Sequence, residues 1–145
     1  MPANTFPTVR LDGSADLAFV DALLDELDRL WDLAPGIGDN DRLLFGLAVS
    51  EIATNIAEHS PAATLVSAVV SASPDALRAE IRDTAPPAEV EVTGVMPDAD
   101  AESGRGLPLA ATVLDEFRHE AISAGNAWTL VRILRPAAGE SDEFL

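Results

Sequence analysis

The apolar residues of this chain recur at two different spacings, and each spacing predicts one type of secondary structure. The clearest helical set recurs every three or four residues: Leu17, Val20, Leu24, Leu27 and Trp31. It predicts a long amphipathic helix with Ser14 as its N-cap and Asp16 in its first turn. A second helix is predicted to start at Asp39 or Asn40 and to stop before Pro61.

Short runs rich in β-branched residues, or alternating between apolar and polar positions, predict strands. The runs are Phe6 to Leu11, Thr64 to Ser71, Ala76 to Asp83, Glu116 to Ile122 and Ala127 to Leu134. Turns are expected at Ser73-Pro74-Asp75 and at Ala124-Gly125-Asn126. A short apolar helix is predicted over Leu107 to Leu114.

These elements follow one another in the order β, α, α, β, β, long loop, α, β, β. Consecutive strand pairs imply a mixed, mostly antiparallel sheet, and about three helices with apolar stripes would cover one of its faces. The expected fold is a two-layer α/β sandwich, with one domain over residues 1–136 and an acidic tail over 137–145. The long loop, from Thr84 to Ser103, has little periodicity, and loops of this length inside a compact domain are usually functional or disordered.

Composition narrows the classes of function. The chain has 145 residues, a formal net charge of −16 and neither lysine nor cysteine. Such an acidic protein would repel both nucleic acid and an anionic membrane surface. Without cysteine it has neither disulfides nor Cys-based zinc sites. We recognise neither a signal peptide nor a membrane-spanning stretch, so the expected location is the cytoplasm.

Two polar side chains interrupt the apolar face of the second predicted helix. Glu51 and Asn55 are four residues apart, which places them on one face together with Leu44, Leu47 and Ala48. A carboxylate and an amide are costly to bury without partners. Either this face is the partly exposed edge of an amphipathic helix, or the pair meets a hydrogen-bond network, a metal ion or a ligand.

Four separated features together describe a nucleotide site: the helix with Glu51 and Asn55, Asp83 at a strand end, Gly104-Arg105-Gly106-Leu107 before a helix, and Thr129 in the final strand. Gly104-Arg105-Gly106 precedes a predicted helix, where free backbone N–H groups and an arginine can hold phosphates. The amide oxygen of Asn55 suits a hard cation such as Mg²⁺, which bridges phosphates. Asp83 ends a strand, and its acceptor-only carboxylate can take the exocyclic amino proton of adenine, whereas guanine presents the opposite pattern. Taken singly, each feature also has an ordinary structural explanation, such as a turn or a flexible joint.

The ordered set of motifs resembles the Bergerat-fold ATPases, the superfamily that includes gyrase, heat-shock chaperones and histidine kinases. Within it, the resemblance is closest to the RsbW-type serine kinases that act as anti-sigma factors. Three stretches carry it: the N-box residues Ser50-Glu51, Thr54-Asn55 and His59, the second glycine box Gly104-Arg105-Gly106-Leu107-Pro108-Leu109, and the closing strand Asn126-Ala127-Trp128-Thr129-Leu130-Val131. The resemblance covers nearly the whole chain.

The resemblance implies ATP and Mg²⁺ as cofactors and assigns a role to each motif residue. Glu51 would be the general base toward a substrate serine. Asn55 would hold Mg²⁺, with His59 in a supporting role. Asp83 would read adenine, with Thr129 assisting.

The second glycine box would hold the phosphates through Gly104-Arg105-Gly106, with Leu107 continuing the motif. His119 matches no family motif, and we expect it to be a surface strand residue. The family's first glycine box usually reads Asp-x-Gly-x-Gly, but here Asp83-Thr84-Ala85-Pro86-Pro87 keeps only the aspartate. The loop from Thr84 to Ser103 would act as a lid over the nucleotide, and this departure affects the expected geometry of that lid and the catalytic competence of the protein.

Three functions remain open. The first is an ATP-binding anti-sigma factor with serine/threonine kinase activity toward an anti-anti-sigma (STAS-type) partner; it would also sequester a sigma factor and could form a homodimer. The second is a catalytically weak or inactive partner-switch module of the same fold, gated by nucleotide or independent of it. The third, the ATPase domain of a histidine kinase, is less favoured, because the N-terminal strand and helix look complete and no phosphoacceptor helix precedes them.

Overall fold

The computed structural model of the protein describes residues 6–86 and 106–135. Within these ranges the chain forms three helices and five strands. The helices are α1 (Leu17–Leu33), α2 (Asp39–His59) and α3 (Gly106–Val113). The strands are β1 (Thr8–Ser14), β2 (Leu65–Ala72), β3 (Ala76–Asp83), β4 (Glu116–Ile122) and β5 (Gly125–Ile133).

The strands form one sheet in the order β1-β2-β3-β5-β4, and each neighbouring pair in the described ranges is antiparallel. Helix α1 contacts β1 and β2, α2 contacts β3 and β5, and α3 contacts β4. The helices therefore follow the order of the strands across the sheet. The predicted two-layer α/β sandwich is confirmed, with an antiparallel sheet where a mixed one was expected.

The alternation along β3 shows how the sequence builds the two layers. Leu77, Ala79 and Ile81 are each 0% exposed, whereas Arg78 and Arg82 alternate with them and are exposed. The helices contribute matching buried side chains, which include Leu23, Leu30, Phe45, Val49 and Ile52. Fully burying one such large side chain is worth roughly 1.5–3 kcal/mol, so this core holds the helices to the sheet.

Helix α1 begins later than predicted, and its buried face is shifted from the predicted stripe, of which Val20, Leu27 and Trp31 are buried. Its N-cap is Asp16, whose carboxylate accepts a hydrogen bond from the backbone N–H of Phe19 at 2.9 Å, while Ser14 still belongs to β1. The predictions of Ser14 as N-cap and of Asp16 inside the first turn are therefore wrong. The buried residues of the helix are Phe19, Val20, Leu23, Leu27, Leu30 and Trp31. Leu17 and Leu24, both in the predicted stripe, are 59% and 38% exposed because other residues take the places next to the sheet.

Strand β5 begins at Gly125, so the hairpin turn is Ser123-Ala124 and not the predicted Ala124-Gly125-Asn126. Gly125 has a φ of +147°, and a Cβ at this position would overlap the carbonyl oxygen of Asp83. Glycine alone permits this close approach, because it has no side chain. The start of β5 therefore lies directly against the end of β3.

The other predicted helices and strands are found close to their expected bounds, although β1 runs on to Ser14 instead of ending at Leu11. The part of the predicted loop from residue 87 to 103, and the acidic tail, lie outside the described residues. Among the helices that the structure describes, none is both long and apolar enough to cross a bilayer.

Candidate functional site

A cavity of about 290 Å³ lies where the C-terminal end of α2 meets the ends of β3 and β5. Its lining comes from three separate parts of the chain: Asn55, Ile56, His59, Ser60, Pro61, Asp83, Ala85, Pro86, Asn126 and Trp128. Three of the residues predicted to bind cofactor, Asn55, His59 and Asp83, therefore line one cavity. The fold brings together a helix motif and a strand end that are well separated in sequence.

A larger cavity, of about 520 Å³, opens near the same end of the sheet. Its lining combines aliphatic side chains with five polar residues, which are Asp12, Ser67, Arg82, Asp83 and Thr84. Of the predicted site residues that the structure describes, Asp83 alone borders it. Three of the predicted site residues line the smaller cavity, which is therefore the candidate site.

Helix α2 presents its site residues along one face. Asn55 and His59 are four residues apart, so their side chains lie one above the other and both line the cavity. Ile52 and Ile56 are buried and hold the helix on the sheet. Glu51 lies one turn before Asn55, is half-buried and does not line the cavity. The face is thus a partly exposed edge at Glu51 and a cavity wall at Asn55.

Asp83 is a buried carboxylate, 4% exposed, that three N–H groups hold in place. Its Oδ1 accepts from the backbone N–H of Ala85 at 3.0 Å and from Nδ2 of Asn126 at 2.9 Å, and its Oδ2 accepts from Nε1 of Trp128 at 2.9 Å. A carboxylate has about four acceptor positions, so these three bonds orient the group, and one position on Oδ2 takes part in none of them.

Hydrogen bonds also hold the backbone that follows Asp83, the last residue of β3. The backbone N–H of Thr84 donates to the carbonyl of Leu65 at 3.0 Å, and the N–H of Leu65 donates to the Thr84 hydroxyl at 2.9 Å. The bond from Ala85 to the Asp83 side chain closes an Asx turn immediately afterwards. The backbone on both sides of the carboxylate is therefore fixed by the protein before any ligand binds.

Thr129 does not meet Asp83. Asp83 pairs with Asn126 in the β3–β5 register, whereas Thr129 pairs with Glu80 and, on the other side, with Arg118. Because side chains alternate between the two faces of a strand, Thr129 lies on the face opposite Asp83 and does not line the cavity. The placement does not support the predicted assistance from Thr129, and Asn126 occupies the position beside the carboxylate.

His119 lies in a strand, as predicted, but it is not the surface residue that the sequence led us to expect. It is half-buried in β4 and pairs with Trp128 across the β4–β5 ladder. Its Nε2 lies 2.7 Å from Oδ1 of Asn126, and its ring centroid lies 4.5 Å from that of Trp128. Sequence reasoning missed this cluster because Asn126 was assigned to a turn. Moving the start of β5 to Gly125 would have placed Asn126 and Trp128 on one face.

The second glycine box lies only in part within the described residues. Gly106 and Leu107 begin α3, which packs against α2. Gly104 and Arg105 lie outside, so the phosphate-binding role of this segment stays a prediction.

The cavity residues fit a magnesium ion that is shared with a nucleotide. The Asn55 amide lines the cavity, and Mg²⁺ usually takes one or two protein oxygens alongside phosphates and water. In the described parts of the chain no cluster of three or more His, Asp or Glu side chains could hold a metal ion. A metal at Asn55 would therefore need ligands from a bound phosphate chain.

The chain was compared with known proteins. Residues 14–133 match the family described as histidine kinase-like ATPase domain, a match that covers most of the chain. The fold and the match together define the class: this chain belongs to the histidine kinase-like ATPase domain family, a class of ATP-binding domain. Comparison with curated proteins gives no match.

Proposed function

We propose that this protein is an ATP-binding regulatory domain of the anti-sigma type, with serine/threonine kinase activity toward an anti-anti-sigma partner. The observation that carries the proposal is that Asn55 and His59, from one motif, line the same cavity as Asp83, which was predicted separately. Membership of the histidine kinase-like ATPase domain family supports the binding of ATP. A sigma factor as the second partner, a homodimer and a cytoplasmic location belong to the same proposal.

Recognition of adenine would depend on the acceptor position that Asp83 has left. The 6-amino group of adenine can donate to it, whereas guanine presents a carbonyl oxygen at that position. Because Asp83 is buried and its other acceptor positions are taken, the carboxylate cannot rotate to accommodate guanine without breaking bonds to Asn126 or Trp128. The cavity should therefore select ATP over GTP.

Asn55 would hold Mg²⁺ through its amide oxygen. The ion, when bound, neutralises phosphate charge and orients the γ-phosphoryl group. No arginine is found among the described residues that line the cavity, and the chain carries a net charge of −16. Metal-dependent binding is the expected consequence, together with the phosphate contacts predicted for Arg105.

Glu51 would act on the substrate side. It lies one turn from Asn55 on the same face of α2 and is half-buried, so a partner's serine can reach it. Its carboxylate would take the proton of the serine hydroxyl as the oxygen attacks the γ-phosphorus. The bond from that phosphorus to the β–γ bridging oxygen then breaks, and ADP leaves.

One observation favours the alternative, a partner-switch module with weak or no kinase activity. Nδ2 of Asn126 lies 3.3 Å from the carbonyl oxygens of both Ala85 and Pro86, so the chain leaving Asp83 is tied to β5. The glycines usual in this segment are replaced by alanine and proline, which restrict its backbone. Ala85 and Pro86 are thus held against β5, where the family's glycines would leave the backbone freer.

Transfer of labelled γ-phosphate decides between the two functions. The purified chain is incubated with Mg·ATP and a STAS-type protein from the same organism, with the Glu51→Gln variant as control. Labelled phosphoserine that requires Glu51 supports the kinase. Formation of a complex with the partner but no transfer, in wild type and variant alike, would select the switch module.

A further inference from the structure

His119 contacts both side chains that hold the Asp83 carboxylate. Its Nε2 lies 2.7 Å from Oδ1 of Asn126, and its ring lies against the indole of Trp128 with centroids 4.5 Å apart. Asn126 and Trp128 each donate a hydrogen bond to Asp83 at 2.9 Å. His119 itself is not among the residues that line the cavity. His119 therefore lies outside the cavity lining and is separated from the Asp83 carboxylate by one intervening side chain.

The acceptors around Asn126 determine which side chain is the donor in the hydrogen bond between His119 and Asn126. Nδ2 of Asn126 faces Oδ1 of Asp83 at 2.9 Å and the carbonyl oxygens of Ala85 and Pro86 at 3.3 Å each. Turning the amide over would place its oxygen against these three oxygens. Oδ1 of Asn126 must therefore face His119, and since an amide oxygen only accepts, Nε2 of His119 carries the hydrogen and donates.

We propose that His119 is a positioning residue for base recognition, acting through Asn126 on Asp83. By donating to Oδ1, His119 fixes the rotation of the Asn126 amide. That amide in turn holds the Asp83 carboxylate and the carbonyls of Ala85 and Pro86, so one imidazole N–H orients both the acceptor for the base and the first residues after it. The inference rests on the proposed binding of ATP, and it adds a residue that no family motif identifies.

Two substitutions separate the hydrogen bond from the packing of the ring. His119→Phe keeps an aromatic ring beside Trp128 but has no N–H to donate. His119→Gln removes the ring but carries an amide N–H that can reach Asn126. Arg118→Gln is the matched control, because Arg118 is the neighbouring β4 residue, faces the other side of the sheet and is 57% exposed in its side chain. Thermal unfolding checks that each variant is folded.

The first measurement uses the nucleotide-free protein. Hydrogen exchange of the Asn126 side-chain amide and of the Trp128 indole N–H is followed by NMR in all four proteins. We expect protection of the Asn126 amide to fall in His119→Phe and to be retained in His119→Gln and Arg118→Gln. Unchanged protection in His119→Phe would overturn the proposal, whether or not the protein binds ATP. A failure of the wild type to bind ATP would by itself refute only the proposed function.

The second measurement compares Mg·ATP with Mg·purine riboside triphosphate, which lacks the 6-amino group, by calorimetry. Losing one neutral hydrogen bond that acts on Asp83 should weaken ATP binding about two- to tenfold in His119→Phe. Binding of the analogue should be nearly unchanged, and His119→Gln should restore the affinity for ATP. Equal weakening for both nucleotides, or the same loss in His119→Gln, would mean that His119 only packs and would overturn the assignment.

Discussion

The two ends of the sheet hold aspartates in opposite ways. At one end, Asp83 is bound by three neutral N–H donors and borders a cavity. At the other end, Asp41 accepts from Nε of Arg132 and Asp115 accepts from Nη2 of Arg135, each at 2.8 Å. Asp41 and Asp115 are thus each paired with a positive charge, whereas the described residues that hold the Asp83 carboxylate are neutral donors.

Under the proposed function, the difference separates a structural use of aspartate from a binding use. Arg132 also donates to the carbonyl of Val113 at 2.7 Å, so it ties together the start of α2, the end of α3 and β5. Its hydrogen-bonding capacity serves the fold. The side chain of Asp83 accepts three N–H bonds, and in the proposed function its remaining acceptor position would bind the ligand. We expect substitutions at the cavity end to change binding and chemistry, and substitutions at the arginine end to change stability.

The largest effect is expected from Glu51→Gln at the cavity end. The substitution keeps the shape of the side chain and removes the proton acceptor, so phosphoryl transfer should fall by about 10²–10⁴-fold. Binding of Mg·ATP and the free energy of unfolding should stay near wild type, because Glu51 lines neither the cavity nor the core. Transfer assays and calorimetry on the same preparation measure both. Full transfer activity in the variant would remove Glu51 from the mechanism.

The next effect concerns the metal at the same end. Because the protein carries −16 and ATP adds several negative charges, chelating Mg²⁺ should nearly abolish binding of ATP. Asn55→Ala should reproduce most of that loss even when Mg²⁺ is present. Calorimetric titrations with and without chelator test both points. Tight binding without metal would contradict the role of Asn55.

A smaller effect, of the opposite kind, is expected at the arginine end. The Asp41–Arg132 pair is partly buried, with side chains 23% and 18% exposed. The contribution of this pair to the free energy of unfolding should lie between those of exposed and buried ion pairs. Asp41→Asn should therefore lower the free energy of unfolding by about 1–2 kcal/mol. Affinity for ATP should not change. Urea unfolding and calorimetry measure the two quantities, and a loss of ATP binding would break the distinction between the ends.

The smallest effect is the pH dependence of Asp115. The hydrogen bond from Arg135, and then the bond from the backbone N–H of Ile133, hold the pKa of this carboxyl below its ordinary value of 3.8. A lowered pKa in the folded state contributes stability above pH 3.8 that disappears as the pH falls through the folded-state value. Asp115→Asn should therefore be slightly less stable than wild type at pH 7, and the gap should close in acid. A gap that widens in acid would reverse the sign.

The sequence predicted the fold well because each element has its own hydrophobic period. The alternation of Leu77, Ala79 and Ile81 defines β3 to its last residue, and the helical motif around Asn55 needs only a spacing of four. The cluster behind Asp83 was not predictable in this way. It depends on which residue of β5 pairs with Asp83, and in that register Gly125 lies against the backbone of Asp83, a contact between residues distant in sequence.

The most direct test of the central claim is a calorimetric comparison of Mg·ATP and Mg·GTP with three proteins. The wild type should bind ATP and not GTP. Asp83→Asn should weaken ATP binding by at least about tenfold, since a hydrogen bond to a charged acceptor is worth about 1.5–3 kcal/mol. Asp115→Asn, the same change at the arginine end, should bind ATP as the wild type does. Equal binding of ATP and GTP by the wild type, or equal losses in the two aspartate variants, would contradict the assignment of Asp83 as the adenine acceptor.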